Sequence, residues 1–197
     1  MNPEGVTHKQ ITMAATLVKI DVHIIFHIKS TSVEMRNDDI PLIHKYIGGI
    51  IENQQSIPVC IGGIADHVHI LCTLPKTMAL SDFVRSIKAN LSRWIKTLDP
   101  HYAGFEWQTG YGAFSVSPSI IDKTINYINN QAEHHKKVSF SDEYAAFLAA
   151  YNVEFNPDFL LTDGLLVPPL RGSWYGGNTH NTGVYTPAYA MPPILGS

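Results

Sequence analysis

The sequence predicts an α+β fold, in which helices pack on an antiparallel β-sheet in a ferredoxin-like arrangement. Two kinds of apolar pattern alternate along the chain. Short runs rich in β-branched residues are typical of strands, and longer stretches with an apolar residue every three or four positions are typical of helices. Their order is β-α-β-β-α-β-α, and the second and third strands are close enough to form an antiparallel hairpin. This order favours a sheet covered by helices.

The first half of the chain supplies three strands and one helix. Residues 17–28, 57–64 and 67–74 are predicted strands, because each is an apolar run with β-branched residues. A helix is predicted to begin at Asp39, with Pro41 in its first turn, and to end before the second strand. Its helically spaced apolar residues are Leu42, Ile43, Tyr46, Ile47, Ile50 and Ile51.

The second half adds two long helices, one strand and a short helix. Residues 81–98 carry an apolar stripe at helical spacing, and residues 111–116 form a short fourth strand. Another long helix is predicted over residues 117–136, since a Ser-Pro pair opens it. A short helix over 141–151 and an extended stretch over 152–161 follow. The core side of the 117–136 helix is predicted to carry Ile121, Ile125, Ile128 and Ala132.

The composition fits one domain with two appended segments. The chain has 197 residues, of which 45% are hydrophobic and 16% charged, so it can bury a sizeable core and is unlike a disordered polyelectrolyte. We expect an N-terminal arm over residues 1–16, a folded domain over 17–155 and a Pro- and Gly-rich extension over 156–197.

The sequence favours a cytoplasmic protein with no membrane contact. No apolar run approaches the ~20 residues that a membrane span requires, and the N-terminus lacks the pattern of a signal peptide. Cys60 and Cys72 are the only cysteines and fall in predicted strands, so we expect buried free thiols.

The charge is unevenly distributed along the chain. The net charge is −3, yet residues 67–137 hold eight Lys and Arg against five Asp and Glu. Within the 81–98 helix, basic side chains recur on the side opposite the apolar stripe. They form either an ordinary solvated face or a phosphate-binding surface. The residues of this basic stripe are Arg85, Lys88, Ser92 and Lys96.

The third predicted strand contains a pair of histidines. His67 and His69 are two residues apart, so their side chains point to the same face while Val68 points into the core. Two imidazoles on rigid backbone form half of a site for a divalent metal. The alternative is a pair of partly exposed histidines with ordinary hydrogen bonds.

The 117–136 helix presents a tyrosine on a polar face. Lys123, Tyr127, Gln131 and His134 recur there at helical spacing. Tyr127 lies one turn before Gln131, whose side-chain carbonyl oxygen is a potential metal ligand. The alternative is a tyrosine whose hydroxyl merely reaches water.

Three stretches of the sequence are similar to a known family. They are GGIADHVHIL around the histidine pair, LSDFVRSIKANLSRWI in the basic helix, and FEWQTGYGAFSVSPSIIDKTINYINNQAEHHKKVSF around the tyrosine. Together they resemble the single-tyrosine HUH transposases of insertion sequences, including their REP-associated relatives. The resemblance covers roughly residues 17–155 and implies an RRM-like fold of the HUH endonuclease type.

The resemblance implies roles for the residues of the two motifs. Tyr127 would be the nucleophile, and His67, His69 and Gln131 would hold a divalent metal, Mg²⁺ or Mn²⁺. Attack of Tyr127 on a DNA phosphodiester would give a 5′-phosphotyrosine and a free 3′-hydroxyl, which can later rejoin the strand without ATP. The resemblance names no base for the phenol.

The resemblance also implies partners. The family recognises hairpins in single-stranded DNA and acts as a homodimer with composite active sites, in which the tyrosine helix can serve the other subunit. The turn Lys29-Ser30-Thr31 departs from a more basic turn that is common in relatives. Phe105 and Trp107 are candidates for base stacking or for the core. Contact with DNA is expected from Lys29, Arg85, Lys88, Lys96, Trp107 and Lys123.

The sequence leaves other functions open. A domesticated enzyme would process repeated palindromes of its host genome by the same chemistry. A nucleic-acid-binding module would keep the fold without cleavage, but the presence of all four site residues argues against it: His67, His69, Tyr127 and Gln131. An unrelated metal hydrolase would use activated water in place of Tyr127. Rolling-circle initiators and relaxases share the histidine motif, but they usually add a further histidine or acidic ligand.

Overall fold

The computed structural model describes residues 17–154, and they form the predicted α+β fold. Four antiparallel strands make one sheet in the order β2-β3-β1-β4, which is the ferredoxin-like order. The predicted arm, the predicted extension and most of the extended stretch over 152–161 lie outside the described residues. The strands are β1 (Asp21–His27), β2 (Pro58–Gly63), β3 (His67–Thr73) and β4 (Gly112–Val116). The helices are α1 (Ile40–Asn53), α2 (Leu80–Ile95), α3 (Ile121–Asn129), α4 (Gln131–His134) and α5 (Phe140–Ala150).

The central strand β1 is buried on both faces of the sheet. Ile24 faces one hydrophobic core and Ile25 the other, and both side chains are nearly inaccessible to solvent. Residues 17–20, which are predicted to belong to this strand, precede it and are exposed, because β3 and β4 both end opposite Asp21. The continuous apolar run of β1 is therefore explained by a helical layer on each face.

Helices α1 and α2 cover one face. Tyr46 of α1 stacks on Trp94 of α2 with 3.9 Å between ring centroids, which joins the two helices. Helix α2 ends three residues earlier than the predicted residue 98, where the Thr97 hydroxyl donates to the Trp94 carbonyl at 2.6 Å. Within the described residues, no helix is long and apolar enough to cross a bilayer. The buried stripe of α2 is Phe83, Val84, Ile87, Leu91 and Ile95.

Helices α3, α4 and α5 cover the other face. Three predictions about this part of the chain are wrong. The segment 117–136 is not one helix, because Asn130 interrupts it between α3 and α4. The Asn130 side-chain amide donates to the carbonyl four residues earlier at 2.7 Å, which competes with continuation of the helix. As a result Ala132, predicted in the core, is exposed, whereas Gln131 is buried. Tyr127, predicted on a polar face, is also buried.

Gly62 sets how closely α3 packs on the sheet. A Cβ at this position of β2 would lie 2.5 Å from the carbonyl oxygen of Ile128 and 2.7 Å from its Cγ2. Because Ile128 is next to Tyr127, the glycine allows the tyrosine helix to approach β2 closely. Gly63 has a φ of +129°, and a Cβ there would lie 2.3 Å from the His67 carbonyl oxygen. The glycine pair thus fixes the spacing between the tyrosine helix and the histidine strand.

We expect Gly62→Ala to lower the free energy of unfolding by about 1–3 kcal/mol, because α3 must move away from β2 to admit the methyl group. Gly49→Ala in α1 is the matched control, since a Cβ there meets no atom within 4 Å. Alanine is favoured over glycine in a helix by about 1 kcal/mol, so the control should be neutral or stabilising. Urea denaturation measures both variants, and equal effects would contradict the close approach at Gly62.

Candidate metal and tyrosine site

Strand β3 places two histidines beneath the C-terminal helices. The side chains of His67 and His69 are both inaccessible to solvent, and Val68 between them packs in the opposite core. This alternation is the one expected of a strand. The alternative of partly exposed histidines is wrong.

A hydrogen bond at Nδ1 orients each ring. His67 Nδ1 lies 2.6 Å from Asp66 Oδ1, and because a carboxylate only accepts, the imidazole carries a proton at Nδ1. His69 Nδ1 lies 3.0 Å from His23 Nε2. Anchoring at Nδ1 leaves both Nε2 atoms directed away from these partners, which is the arrangement found in metal-binding histidines.

Burial controls the ionisation of this region. Burial lowers the pKa of His69 to about 4, although the charge of Glu143 partly opposes the shift. Burial, followed by the effect of His69, lowers the pKa of His23 well below its usual value. Burial alone would raise the pKa of Asp66, but its hydrogen bond with His67 outweighs this and the pKa lies below the ordinary value. His23 and His69 are therefore neutral at pH 7, the form that binds a metal.

The break at Asn130 turns the tyrosine helix toward the histidines. The ring of Tyr127 stands edge-on to that of His69, with 5.9 Å between centroids. Gln131 Oε1 lies 3.4 Å from His67 Nε2. The structure thus brings Tyr127 and Gln131 to the His67–His69 pair of the same chain.

Glu143 of α5 joins the tyrosine to the histidines, and its side chain is only 3% exposed. Its Oε1 accepts hydrogen bonds from the Tyr127 hydroxyl and from Gln131 Nε2, the latter at 3.1 Å. Its Oε2 lies 3.5 Å from His69 Nε2 and 3.3 Å from His135 Nε2. One carboxylate therefore contacts the candidate nucleophile with one oxygen and two imidazoles with the other.

These contacts shift the pKa values of both Glu143 and Tyr127. Burial alone would raise the pKa of Glu143, but its contacts with the His135 and His69 imidazoles and the hydrogen bond from the Tyr127 hydroxyl hold the pKa far below its usual value. Burial, and then the negative charge of Glu143, raise the pKa of Tyr127 well above that of an ordinary tyrosine. In this state Glu143 is ionised and the phenol is protonated.

Sequence reasoning missed Glu143 and His135. Glu143 stands in the first turn of a short helix, where an acidic residue usually serves the helix terminus, so nothing in its local pattern separates it from that role. The available signal was the adjacent pair His134 and His135, about two turns after Tyr127. Neither residue shows its contacts in the sequence, because they form between segments that are distant along the chain.

The donor atoms fit a divalent cation. One ligand atom from each of His67, His69, His135 and Glu143 lies within 4.8 Å of the other three. Among the described residues, His69 Nε2, His135 Nε2 and Glu143 Oε2 are buried without a hydrogen-bond partner. Buried polar atoms without partners are costly, and a shared cation satisfies all of them at once.

A second feature, the basic groove, lies between α2 and residues 105–111. Its volume is about 690 Å³. Its lining includes four basic side chains and one acidic side chain, Glu106, which pairs with Lys29 at 3.3 Å. The structure brings five of the six predicted DNA-contacting residues into this groove: Lys29, Arg85, Lys88, Lys96 and Trp107.

The members of the predicted DNA-contacting set differ in their surroundings. The Lys88 ammonium donates to the carbonyls of Gln108 and Gly110, and its burial lowers its pKa to about 8. Trp107 packs edge-on against Phe26 and the buried Phe105, so Phe105 belongs to the core. The sixth residue, Lys123, is exposed on α3 and does not line the basic groove.

Residues 16–131, more than half of the chain, match the family model described as transposase, IS200-like. The chain belongs to the IS200-like transposase family. Membership supports DNA transposase activity for this protein.

Two solved structures resemble this IS200-like transposase. One is a candidate transposase from Deinococcus radiodurans R1, with 21% identity and a TM-score of 0.47 over 59% of this chain and 94% of that chain. The other is a REP-associated tyrosine transposase bound to a REP hairpin, with 13% identity and a TM-score of 0.48 over 64% of this chain and 74% of that chain. No curated protein matches the sequence.

We expect the metal-free IS200-like transposase to lose stability as the pH falls from about 6.5 to 4. The pKa of His69 is about 4 in the folded state, against 6.5 for an ordinary histidine, so the unfolded state takes up the proton first. This group alone accounts for roughly 3 kcal/mol of the loss. Urea denaturation at pH 7 and pH 4 measures it.

The comparison for this pH effect is His69→Gln, which removes the titrating group. His44 in α1 stays in place, and burial also lowers its pKa to about 4, so the variant should retain part of the acid sensitivity. A variant that loses as much stability as the parent on acidification would contradict the buried, neutral state of His69.

Proposed function

We propose that this IS200-like transposase cleaves and rejoins single-stranded DNA, with Tyr127 as the nucleophile and a divalent metal at the histidine pair. One observation supports this most strongly. The Tyr127 hydroxyl contacts one oxygen of Glu143, and His69 Nε2 lies 3.5 Å from the other oxygen. The nucleophile and the metal donors therefore share one pocket, as the reaction requires.

The proposed chemistry is a transesterification. Tyr127 Oη attacks a backbone phosphorus, a bond forms between them, and the bond from phosphorus to the 3′-oxygen breaks. The phenol loses its proton and the 3′-oxygen gains one, which leaves a 5′-phosphotyrosine and a 3′-hydroxyl. Attack by a 3′-hydroxyl on the phosphotyrosine restores the DNA strand and the tyrosine. No ATP is required, because the phosphotyrosine retains the energy of the broken bond.

His67, His69 and Gln131 would hold the metal in this proposal. When bound, Mg²⁺ or Mn²⁺ would polarise the oxygens of the scissile phosphate. With its proton at Nδ1, His67 presents an acceptor at Nε2, and Gln131 Oε1, 3.4 Å away, is also an acceptor. Two facing acceptors repel each other unless a cation lies between them, which supports a shared ion.

The described state is a resting state for Tyr127. Burial and the Glu143 carboxylate keep the phenol protonated, because they raise its pKa well above the usual value. A DNA phosphate that enters this pocket must take the place of the carboxylate beside the hydroxyl, since two anions repel strongly when buried together. Substrate entry would thus release Tyr127 from Glu143.

We expect Tyr127→Phe to abolish covalent attachment to DNA and to leave hairpin binding nearly unchanged, because only the hydroxyl is lost. Labelled single-stranded hairpins from the flanking DNA, mixed with the protein and Mn²⁺, would be analysed on a denaturing gel. Tyr151→Phe is the control: it removes a tyrosine hydroxyl that donates to the Ser115 carbonyl, away from the histidine pair.

The parent and Tyr151→Phe should both give a metal-dependent shifted band, and Tyr127→Phe should give none. A band that persists in Tyr127→Phe would contradict the assignment of the nucleophile. Binding of hairpins without any band in the parent would instead favour a nucleic-acid-binding module that does not cleave.

The basic groove is the proposed contact surface for the DNA backbone. Arg85 and Lys96 are exposed along it, about three helical turns apart, with Arg85 in α2 and Lys96 directly after its last residue. We expect the double variant Arg85→Ala/Lys96→Ala to weaken hairpin binding and to reduce the slope of log K against log salt by about 1.4, the value for two lost phosphate contacts on single strands. Fluorescence anisotropy at several salt concentrations measures both quantities.

A charge-matched control is Lys45→Ala/Arg93→Ala, which removes two exposed basic residues that do not line the basic groove. This control should keep the salt slope of the parent. Equal slopes for the two double variants would show that the groove makes no specific contribution to binding.

The homodimer with composite sites stays a prediction from the family resemblance. In the described chain, Tyr127 lies against the histidines of its own chain, so one chain can supply both halves of a site. A domesticated enzyme that processes palindromes of its host genome would use the same site and the same chemistry. The choice of hairpin in the covalent assay separates it from a mobile element.

A further inference from the structure

We propose that His135 and Glu143 complete, with His67 and His69, a four-donor metal site that selects a transition ion over Mg²⁺. This inference rests on the proposed function for the histidine pair and extends it with two residues from the segment after the tyrosine helix. It also departs from the three-ligand set implied by the family resemblance, since both added donors come from outside that set.

Two of the separations between donor atoms match the edge of a tetrahedron around one ion. Glu143 Oε2 lies 3.5 Å from His69 Nε2 and 3.3 Å from His135 Nε2. For metal–ligand bonds of about 2.0–2.1 Å, the edge of a tetrahedron is about 3.4 Å. The His67 donor lies within 4.8 Å of the other three.

Each of the three imidazoles has a hydrogen-bond partner at Nδ1, and its Nε2 faces Gln131 or Glu143 within the site. This is the outer-shell pattern that fixes the tautomer of a metal-ligating histidine. For His67 and His135 this partner is an oxygen, which only accepts and therefore places a proton on Nδ1. For His69 the partner is a second imidazole, so a proton on Nδ1 requires that His23 Nε2 accept it. The Nδ1 partners are Asp66 Oδ1 for His67 at 2.6 Å, His23 Nε2 for His69 at 3.0 Å and the Val138 carbonyl for His135 at 2.9 Å.

The burial of the donors adds a second argument. Within residues 17–154, His69 Nε2, His135 Nε2 and Glu143 Oε2 have no hydrogen-bond partner, and all three are inaccessible. A bound ion would satisfy them together and would join β3 to the segment that follows the tyrosine helix. Ion binding should therefore stabilise the folded chain, because the unfolded chain lacks this arrangement.

The donor set decides the class of ion. Three imidazole nitrogens and one carboxylate oxygen suit Zn²⁺, Co²⁺ and similar first-row ions. Mg²⁺ prefers six oxygen ligands in an octahedron and usually keeps several waters, which a buried site with three nitrogens does not provide. The four-donor site should therefore bind Zn²⁺ or Co²⁺ in preference to Mg²⁺.

The site also reaches the nucleophile. Glu143 Oε1 accepts the hydrogen bond of Tyr127 while Oε2 faces the imidazoles. An ion bound to Oε2 of Glu143 would therefore be connected to the Tyr127 hydroxyl through the two oxygens of this one carboxylate. This makes Glu143 both a ligand and a positioning residue for Tyr127.

The test uses the full chain after treatment with EDTA. Co²⁺ is added while the visible absorption is followed, since tetrahedral Co²⁺ absorbs far more strongly than octahedral Co²⁺. Zn²⁺ and Mg²⁺ are then compared by their effect on the thermal midpoint of unfolding. The variants are Glu143→Gln and His135→Gln, and the matched control is Glu133→Gln, which removes an exposed carboxylate of α4.

We expect one tetrahedral Co²⁺ per chain, a rise in the midpoint with Zn²⁺, and no rise with Mg²⁺ at the same concentration. Glu143→Gln and His135→Gln should each weaken Zn²⁺ binding by at least about tenfold. The control should bind like the parent. His135→Gln keeps the test valid if Glu143→Gln fails to fold, because it leaves the hydrogen bonds of Glu143 with Tyr127 and Gln131 in place. Urea denaturation without metal checks the folding of both variants.

Two results would overturn this inference. If both variants bind Zn²⁺ like the parent and only His67→Gln abolishes binding, then the ion is held without His135 and Glu143, and the proposed function keeps its metal site. If the parent binds no Co²⁺ or Zn²⁺, the four-donor site does not exist. The proposed function is then judged separately, by the covalent assay with Mn²⁺ and Tyr127.

Discussion

The arrangement of the site depends on one buried carboxylate. Glu143 is 3% exposed and ionised, and an ion in such surroundings is stable only when hydrogen-bond donors or positive charges surround it. The chain provides two donors at Oε1, the Tyr127 hydroxyl and the Gln131 amide, and it places the His69 and His135 imidazoles beside Oε2. The same contacts that stabilise the carboxylate therefore bring the candidate nucleophile and the metal donors together.

The two faces of the sheet have separate roles, and they meet at one end of β1. The α2 side carries the basic groove, and the side covered by α3–α5 carries the tyrosine and the histidines. His27, the last residue of β1, pairs with His67 in the sheet, while its carbonyl accepts from the Gln108 amide at 2.9 Å. The basic groove and the site therefore approach each other at this end of the two central strands, β1 and β3.

The sequence predicts what depends on local pattern. The element order, the alternation of His67, Val68 and His69, and the amphipathic α2 all follow from periodicities of two or of three to four residues. The break at Asn130 was not predicted, because helical spacing hides the competition between an asparagine side chain and the backbone. Glu143 was missed for another reason: its partners come from β3, α3 and α4, and no local pattern encodes contacts between such distant segments.

The most direct test of the account is to locate the metal relative to Tyr127. Anomalous diffraction at the manganese edge, from crystals of the full chain grown with Mn²⁺, would place the ion without any assumption about activity. The account predicts one peak bonded to Nε2 of His67 and of His69, in the pocket that also holds a tyrosine hydroxyl and Glu143. A peak elsewhere would contradict a metal site built on the histidine pair beside Glu143.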